Sequence, residues 1–470
     1  MYYDSIAFLC FFLPVLLVLE ALVKGARKKN FLLLAAGLLF YAFGSFQALS
    51  LLLFSAVMNW GLGLLAMRKR RTAVSLAVFL NLGMLAVYRY SGIWFPILSA
   101  AGLSISEAGP VMPAGLSFFT FKGISYVADV AHRKEAGSRR FFDVLFYLSF
   151  FPQIMAGPLE RFEAFRTQLS GREKTAVRTA CGLRRFILGL AKKLIFAGEA
   201  GVVANASFSA GTVLDARIAW LGAVAYCLQL YFDFSGYSDM AVGLGEALGF
   251  HSPENFRYPY AASSITVFWR RWHISLSSWF QDYVYIPLGG SRKGKWRTAA
   301  NKFLVFSLCG LWHGAGFTFL IWGMWHGLLS ALESLRILDV ERWRKNLAGR
   351  VFSHVYLMLA VCLGFVMFRA ESAAEGLRML LAMFTGFSFS AEGTLLLYEI
   401  CGRYTMLILA AAAVLSLPVR PFLQERIILL PKGVREAVEG GSWLACLCLL
   451  VLCFAVLASE GFSPFIYAQF

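Results

Sequence analysis

The chain alternates long apolar runs with short basic connections. No charged residue occurs over residues 31–67, and a basic cluster follows at 68–71. At about 1.5 Å per residue this run is too long for one crossing of a bilayer and suits two. Both of its flanks are basic, which places both on the cytoplasmic side, and Gly44 and Ser45 in its middle favour a turn. The pattern therefore predicts a helical hairpin that turns at these two residues.

The other apolar runs predict further membrane helices. The first, Ile6–Leu19, has no positive charge before it, so we expect an uncleaved span with an extracytoplasmic N-terminus. We predict an all-α polytopic membrane protein with roughly ten to twelve transmembrane helices plus re-entrant and interfacial helices. The remaining apolar segments are 73–88, 92–103, 114–130, 141–157, 183–206, 217–245, 303–332, 352–368, 376–390, 403–419 and 441–458.

Composition supports a membrane protein. Of the 470 residues, 59% are hydrophobic and 15% are charged, whereas soluble domains carry about 25% charged residues. A soluble enzyme, a secreted disulfide scaffold and a disordered chain are thereby excluded. The net charge of +17 lies in connections between apolar segments, which is typical of cytoplasmic loops and not of a nucleic-acid surface. The nine cysteines form no CxxC pair and are interpreted as packing residues.

Two apolar stretches carry polar residues that need an explanation. Prolines and a glycine interrupt FFPQIMAGPLERF at 150–162, which predicts irregular backbone at membrane depth; a helix end with a cytoplasmic turn is the simpler alternative. Asp233 and Asp239 lie among aromatic and small residues in YFDFSGYSDMAVG. These carboxylates suit acid–base work or cation binding, or a structural role such as pairing with an arginine, which is the interpretation we prefer.

Residues 267–285, VFWRRWHISLSSWFQDYVY, predict one amphipathic interfacial helix. On such a helix His273 lies on the apolar face, where a satisfied core or interface histidine competes with a functional one. The apolar face would hold Trp269, Trp272, His273, Leu276, Trp279, Phe280 and Tyr283, and the polar stripe Arg271, Ser275, Ser278 and Asp282. The basic loop that follows, Arg292–Lys302, is a candidate for binding phosphate groups or anionic lipid.

Residues 303–332 contain no charge except two histidines. Histidine can take and return a proton near neutral pH, which makes His313 in LWHGAG a candidate base. His326 is 13 residues further on, about 220° around an unbroken helix, so the two rings share a site only if the intervening glycines break the helix. We expect one working histidine, and a packing or gating role for the other. The histidines show no HExxH zinc spacing, and we predict no metal site.

Several of these motifs together resemble the membrane-bound O-acyltransferase superfamily, and most closely its bacterial alginate O-acetyltransferase branch. The similar segments are FPQIMAGPLERF, FDFSGYSDMAVGLGEALGF, NFRYPYAASSITVFWRRWHISLSSWFQDYVYIPLGG, LWHGAGFTFLIWGMWHG and the terminal SPFIYAQF. The resemblance implies tilted helices around a thin central region, with funnels from both sides meeting near a histidine. It implies a single integral-membrane domain, with N-terminal helices over 1–105, a catalytic core over 110–333 and C-terminal helices over 350–470.

The resemblance also implies site roles. The family's essential histidine matches His313, and its second motif histidine matches His273, so both are predicted to be catalytic. Predicted contacts to the substrate or acyl donor are Asn255, Arg271, Asp282 and Trp312, together with Arg292, Lys293 and Lys295 of the basic loop. Asp233, Asp239 and His326 are predicted to support the structure.

The implied activity is transfer of an acetyl group from a cytoplasmic thioester, with acetyl-CoA as donor substrate and no permanently bound cofactor. The acceptor would be an extracellular or cell-wall polysaccharide, or a periplasmic or extracellular SGNH-hydrolase-like acetyltransferase partner, at a bacterial cytoplasmic membrane. A sister branch transfers D-alanine to cell-wall polymers, which is one alternative. A transporter or a scaffold without chemistry is another; we see neither charges distributed across the spans nor a repeated half.

Overall fold

The computed structural model describes residues 1–102, 110–172 and 174–460, and this part of the chain is helical, with no β-strand. The terminal SPFIYAQF lies outside the described residues. The first α-helices are α1 Leu13–Leu22, α2 Ala26–Ala42, α3 Phe46–Ala66, α4 Arg70–Arg89, α5 Ser91–Ala100, α6 Leu116–His132, α7 Phe141–Ser149, α8 Phe151–Ile154, α9 Phe162–Gly171, α10 Ala176–Ala191, α11 Gly198–Phe208 and α12 Ala216–Ala247. The others are α13 Ile265–Trp269, α14 Ile274–Phe280, α15 Lys295–His313, α16 Phe317–Ser334, α17 Val340–Trp343, α18 Leu347–Arg369, α19 Ala373–Thr385, α20 Ala391–Ile400, α21 Arg403–Leu415, α22 Val419–Ile428 and α23 Lys432–Glu460.

Several of these helices are long and apolar enough to cross a bilayer, which confirms an all-α, multi-pass membrane protein. By length and composition, five helices of the described residues qualify: α3, α4, α12, α18 and α23. The pair α20–α21, bent by 70°, makes a sixth if it is one broken span. Other apolar segments form shorter helices, such as Phe8–Leu22. The helices of the described residues that are long enough to cross are therefore fewer than the expected ten to twelve. That number stays a prediction.

The turn predicted within residues 31–67 is confirmed, and of the two helices that it joins α3 is long and apolar enough to cross a bilayer. That both helices cross stays a prediction. Helix α2 ends at Ala42 and α3 begins at Phe46. The Ser45 side chain accepts a hydrogen bond of 3.2 Å from the backbone N–H of Ala48 and so caps α3. The turn residue expected from the sequence therefore also starts the second helix of the hairpin.

The chain divides into two compact units. The first contains Met1–Phe186 and Ser238–Glu254, and the second contains Ile187–Tyr237 and the chain from Asn255 onward. The single domain with three subranges that the sequence suggests stays a prediction.

Residues 150–162, in the first unit, have the interrupted backbone that the sequence predicts. Helix α7 ends at Ser149, α8 has four residues, and residues 155–161 are not helical. Lys122, 1% exposed, donates to Gln153 Oε1 at 2.8 Å, and Gln153 Nε2 donates to Glu160 at 2.7 Å. Lys122 Nζ also donates to the Tyr147 carbonyl at 2.8 Å, and the Tyr147 hydroxyl donates to the Glu160 carbonyl at 2.7 Å. Side chains thus satisfy backbone carbonyls at this interruption, which irregular backbone in an apolar environment requires.

The two aspartates of α12 have cationic partners. Arg185 donates to Asp239 and Glu254 at 2.6–2.9 Å in the first unit. In the second unit, Lys193 Nζ lies 2.8 Å from Asp233 Oδ1. Asp239 thus pairs with an arginine, as the structural interpretation predicts, and Asp233 pairs with a lysine. Helix α12 continues unbroken through both positions.

Candidate functional site

The second unit contains a cavity of about 190 Å³ that two histidines line. Its wall comes from three segments: Thr266–Tyr285, the part of α15 from Lys302 to His313, and Ser330 of α16. His273 and His313, which are 40 residues apart in the sequence, therefore face one space.

The prediction of one amphipathic helix over residues 267–285 is wrong. Helix α13 ends at Trp269, α14 begins at Ile274, and Gln281–Tyr285 is a π-helical turn. His273 adopts the left-handed region, with φ +44° and ψ +55°, which a right-handed helix excludes. Arg271 O accepts from Arg257 N–H at 3.0 Å on one side of this break. The break moves His273 off the apolar stripe that regular helical spacing predicts.

Asn255 holds the His273 ring. Asn255 Oδ1 lies 3.1 Å from His273 Nδ1 and also accepts from the Ser275 backbone N–H at 3.2 Å and from its hydroxyl at 3.0 Å. His273 is 2% exposed, and its ring meets the Phe234 ring edge-on, with 4.6 Å between the ring centroids. His273 lies outside the candidate spans, and burial lowers its pKa to about 3, so the imidazole is neutral.

Helices α15 and α16 form a tight hairpin that contains the other two motif histidines, His313 on α15 and His326 on α16. Helix α15 ends at His313, and three residues separate it from α16. A Cβ added to Gly310 would lie 2.4 Å from the Phe319 carbonyl oxygen, and one added to Gly323 would lie 2.4 Å from that of Phe306. Only glycine permits this backbone contact. The helix break that the sequence left open for this segment is therefore present.

An aromatic cluster surrounds His313. His313 is 4% exposed, and its ring centroid lies 4.5 Å from that of Trp312, 5.1 Å from that of Trp322 and 5.0 Å from that of Phe368 of α18. Trp322 in turn lies 5.3 Å from His326, which is fully buried. His313 lines the cavity, whereas His326 packs behind Trp322 and does not belong to the lining.

Substituting alanine for Gly323 is expected to destabilise the hairpin by about 1–3 kcal/mol, because the added methyl group cannot avoid the Phe306 backbone. Activity should fall as well, because the added methyl group pushes α15 and α16 apart and so displaces His313. In Gly83→Ala, the matched control, the methyl group meets nothing within 4 Å. Thermal unfolding of both variants in detergent measures the difference; equal midpoints would contradict the proposed close contact.

The structure separates the predicted contact residues into two groups. Asn255 contacts His273, and Trp312 contacts His313. The others do not line the cavity: Arg271 is half-buried, and Asp282, Arg292, Lys293 and Lys295 are exposed. Their roles as donor contacts stay predictions.

Two cations line the cavity. Lys302 is the last residue of the basic loop predicted to bind phosphate groups, whereas the sequence did not single out Arg270. None of the lining residues is acidic. Lys302 also directly precedes the uncharged run 303–332. Cys309, one turn before His313 on α15, also lines the cavity and was not predicted.

Comparison with known proteins agrees with this architecture. The profile of the membrane-bound O-acyltransferase family (MBOAT) matches residues 38–368. The "Probable alginate O-acetylase AlgI" of Pseudomonas putida is 37% identical over 493 aligned residues, covering 100% of both chains. The peptidoglycan O-acetyltransferase of Helicobacter pylori is 30% identical over 81% of this chain and 79% of that protein. The teichoic acid D-alanyltransferase of Bacillus subtilis is 30% identical over 55% of this chain and 68% of that protein.

The family match covers the cavity, both of its histidines and the α15–α16 hairpin. The resemblance found in the motifs is confirmed over most of the chain. With its multi-pass helical fold, the chain belongs to the membrane-bound O-acyltransferase family and is an O-acyltransferase.

Proposed function

We propose that this protein transfers an acetyl group from cytoplasmic acetyl-CoA to a hydroxyl of an extracytoplasmic polysaccharide, or to a relay partner that completes the transfer. The observation that carries the proposal is one cavity lined by His313, His273, Arg270 and Lys302. It combines a group that can accept a proton with cations that can hold an anionic donor.

In the proposed mechanism, His313 acts as general base. Its ring removes the proton from the acceptor hydroxyl as the oxygen attacks the thioester carbonyl. The tetrahedral intermediate collapses, the C–S bond breaks, and the new ester leaves with the acetyl group. The thiolate of coenzyme A takes the proton from the His313 imidazolium, which regenerates the neutral base. The aromatic rings around His313 exclude water that would hydrolyse the thioester.

The charges of the cavity favour a phosphorylated donor. Arg270 is exposed and Lys302 is half-buried, and both belong to a lining without acidic residues. Arginine and lysine form charge-assisted hydrogen bonds with phosphate oxygens. We propose that these two side chains hold the phosphates of coenzyme A, more directly than the exposed cations of residues 292–295.

The relatives support a polymer as the final acceptor. The names of the three relatives above specify alginate, peptidoglycan and teichoic acid. Two of them name acetyl transfer and cover most of this chain, which is why we propose acetyl over D-alanyl. We place the protein in a bacterial cytoplasmic membrane with its N-terminus outside, and propose an SGNH-hydrolase-like acetyltransferase as the relay partner.

Purified protein in liposomes, supplied with acetyl-labelled acetyl-CoA and a polysaccharide panel, tests the proposal. We expect release of free coenzyme A and label on a glycan or on an added relay partner, above the level of a His313→Ala control. Transfer of D-alanine from a carrier-protein thioester, with acetyl-CoA inert, would establish the alternative chemistry. Movement of a solute without thioester cleavage would indicate a transporter.

A further inference from the structure

We propose that Asn255 is a positioning residue that fixes His273 as its Nδ1–H tautomer, so that His273 Nε2 accepts a hydrogen bond from an O–H or N–H group of a substrate in the cavity. The role in turnover rests on the proposed function, whereas the tautomer itself does not. The proposal assigns Asn255 and His273 a task distinct from the proton removal assigned to His313.

The assignment follows from the hydrogen bonds around Asn255. The backbone N–H of Ser275 can only donate, and it lies 3.2 Å from Asn255 Oδ1, so this atom is the amide oxygen and not the amide nitrogen. An amide oxygen accepts hydrogen bonds and donates none. His273 Nδ1, at 3.1 Å from the same oxygen, must therefore carry the ring proton.

The other ring nitrogen is then a lone-pair acceptor. A neutral imidazole carries one N–H, so Nε2 of His273 is unprotonated. Nε2 is buried, and among the described residues it has no hydrogen-bond partner. A buried polar atom left without a partner costs about 1–3 kcal/mol, and His273 lines the cavity in which a substrate would supply that partner.

The surroundings keep this ring neutral. The titratable or charged groups that share the cavity are Arg270, Tyr285, Lys302, Cys309 and His313, and none of them is a carboxylate. Phe234 covers the ring from α12. Because the described residues that line the cavity include no carboxylate to stabilise an imidazolium, burial favours the uncharged form.

The tautomer determines which substrate groups His273 can recognise. A lone pair accepts from the hydroxyl of a sugar acceptor or from an amide N–H of the pantetheine arm of the donor. It cannot bind a phosphate, a carbonyl oxygen or the oxyanion of the tetrahedral intermediate, since all of these are acceptors. His273 is thereby excluded as an oxyanion donor.

Nitrogen-15 NMR of histidine-labelled protein in lipid tests the tautomer without any assay of activity. The His273 signals are assigned by their loss in His273→Asn, because asparagine tolerates the left-handed backbone found at this position. We expect a protonated Nδ1 and an unprotonated Nε2. The reverse tautomer, or an imidazolium at neutral pH, would overturn the proposal even if acetyl transfer is demonstrated.

Asn255→Asp separates positioning from support of the fold. A carboxylate still accepts from Ser275 and from His273 Nδ1, so the turn should form. Because Asn255 is 1% exposed, the new charge costs stability, and the unfolding midpoint is measured so that activity is compared per folded molecule. The negative charge of the new carboxylate raises the pKa of the His273 ring. Nε2 therefore becomes protonated, and loses its lone pair, as the pH falls through that raised pKa. We expect a new acidic limb, with kcat/KM at least tenfold below its plateau at the low-pH end. A pH profile that superimposes on the wild-type profile would refute the positioning role.

His273→Asn distinguishes the two sources of the donor group. KM and kcat are measured for acetyl-CoA and for the acceptor separately. We expect kcat/KM to fall at least tenfold. If a pantetheine amide is the partner of Nε2, the fall appears as a raised KM for acetyl-CoA. If an acceptor hydroxyl is the partner, it appears as a lower kcat/KM for the acceptor. Unchanged values for both substrates would overturn the binding role. If the wild-type protein showed no acyl transfer, the proposed function would be refuted, whereas the tautomer measured by NMR would be unaffected.

Discussion

His313→Ala is expected to lower kcat/KM for acyl transfer by about 10²–10⁴-fold, the usual contribution of a general base. The side chain lines the cavity and is 4% exposed, and alanine has no group that can take the proton of an attacking hydroxyl. The substitution also leaves space beside Trp322 and Phe368, so the amount of folded protein must be measured in parallel. Steady-state release of coenzyme A from equal amounts of folded protein is the appropriate measurement.

His326→Ala is the matched control for this experiment. It removes the same imidazole from the same hairpin, at a position that is fully buried and outside the lining of the cavity. We expect a lower unfolding midpoint with a much smaller loss of kcat per folded molecule. If His313→Ala retained wild-type turnover, or if both variants lost activity equally at equal folded yield, His313 would not be the base.

Lys193→Met is expected to lower the free energy of unfolding by about 3–5 kcal/mol, because it leaves a buried aspartate without its lysine partner. Lys193 Nζ lies 2.8 Å from Asp233 Oδ1, and the two side chains are 3% and 5% exposed. Methionine matches the volume of lysine, so the loss reports the charge and not a cavity. Unfolding by heat or denaturant in a fixed detergent measures the change.

An exposed ion pair provides the comparison. Arg133 lies 2.7 Å from Glu163 in the first unit, with side chains 64% and 43% exposed, so Arg133→Met should cost only about 0–1 kcal/mol. The double variant Lys193→Met with Asp233→Leu should recover much of the stability lost in the single variant, since both charges of this pair are then removed. Equal shifts for Lys193→Met and Arg133→Met would contradict a special role for the buried pair.

The large-scale features were predictable from local properties of the chain. The α2–α3 hairpin followed from run length, flanking charge and two turn residues, because bilayer thickness and loop charge constrain any sequence. Whether the helix breaks between His313 and His326 could not be decided from the sequence. Glycines permit a break, whereas the contacts of Gly310 and Gly323 across the hairpin show that it occurs.

The helical periodicity at residues 267–285 gave the wrong element. The spacing of apolar residues fits one helix, but the left-handed conformation of His273 divides it. The Asn255 amide oxygen accepts hydrogen bonds at this break. Such a conformation depends on partners distant in the chain, which no local pattern encodes. The cavity cation Arg270 was missed for the same reason, since a cation in a loop and one facing a site look alike in sequence.

By itself, the sequence determined the membrane environment, the helical class, the family and the histidines of interest, because these depend on composition, on periodicity and on motifs read along the chain. Only the tertiary structure decided that His273 and His313 face one cavity, that His326 packs outside it, and that Asn255 orients His273. Those facts depend on helix breaks and on contacts between distant residues. Such contacts form only when burial and hydrogen bonding of the whole unit select one backbone path.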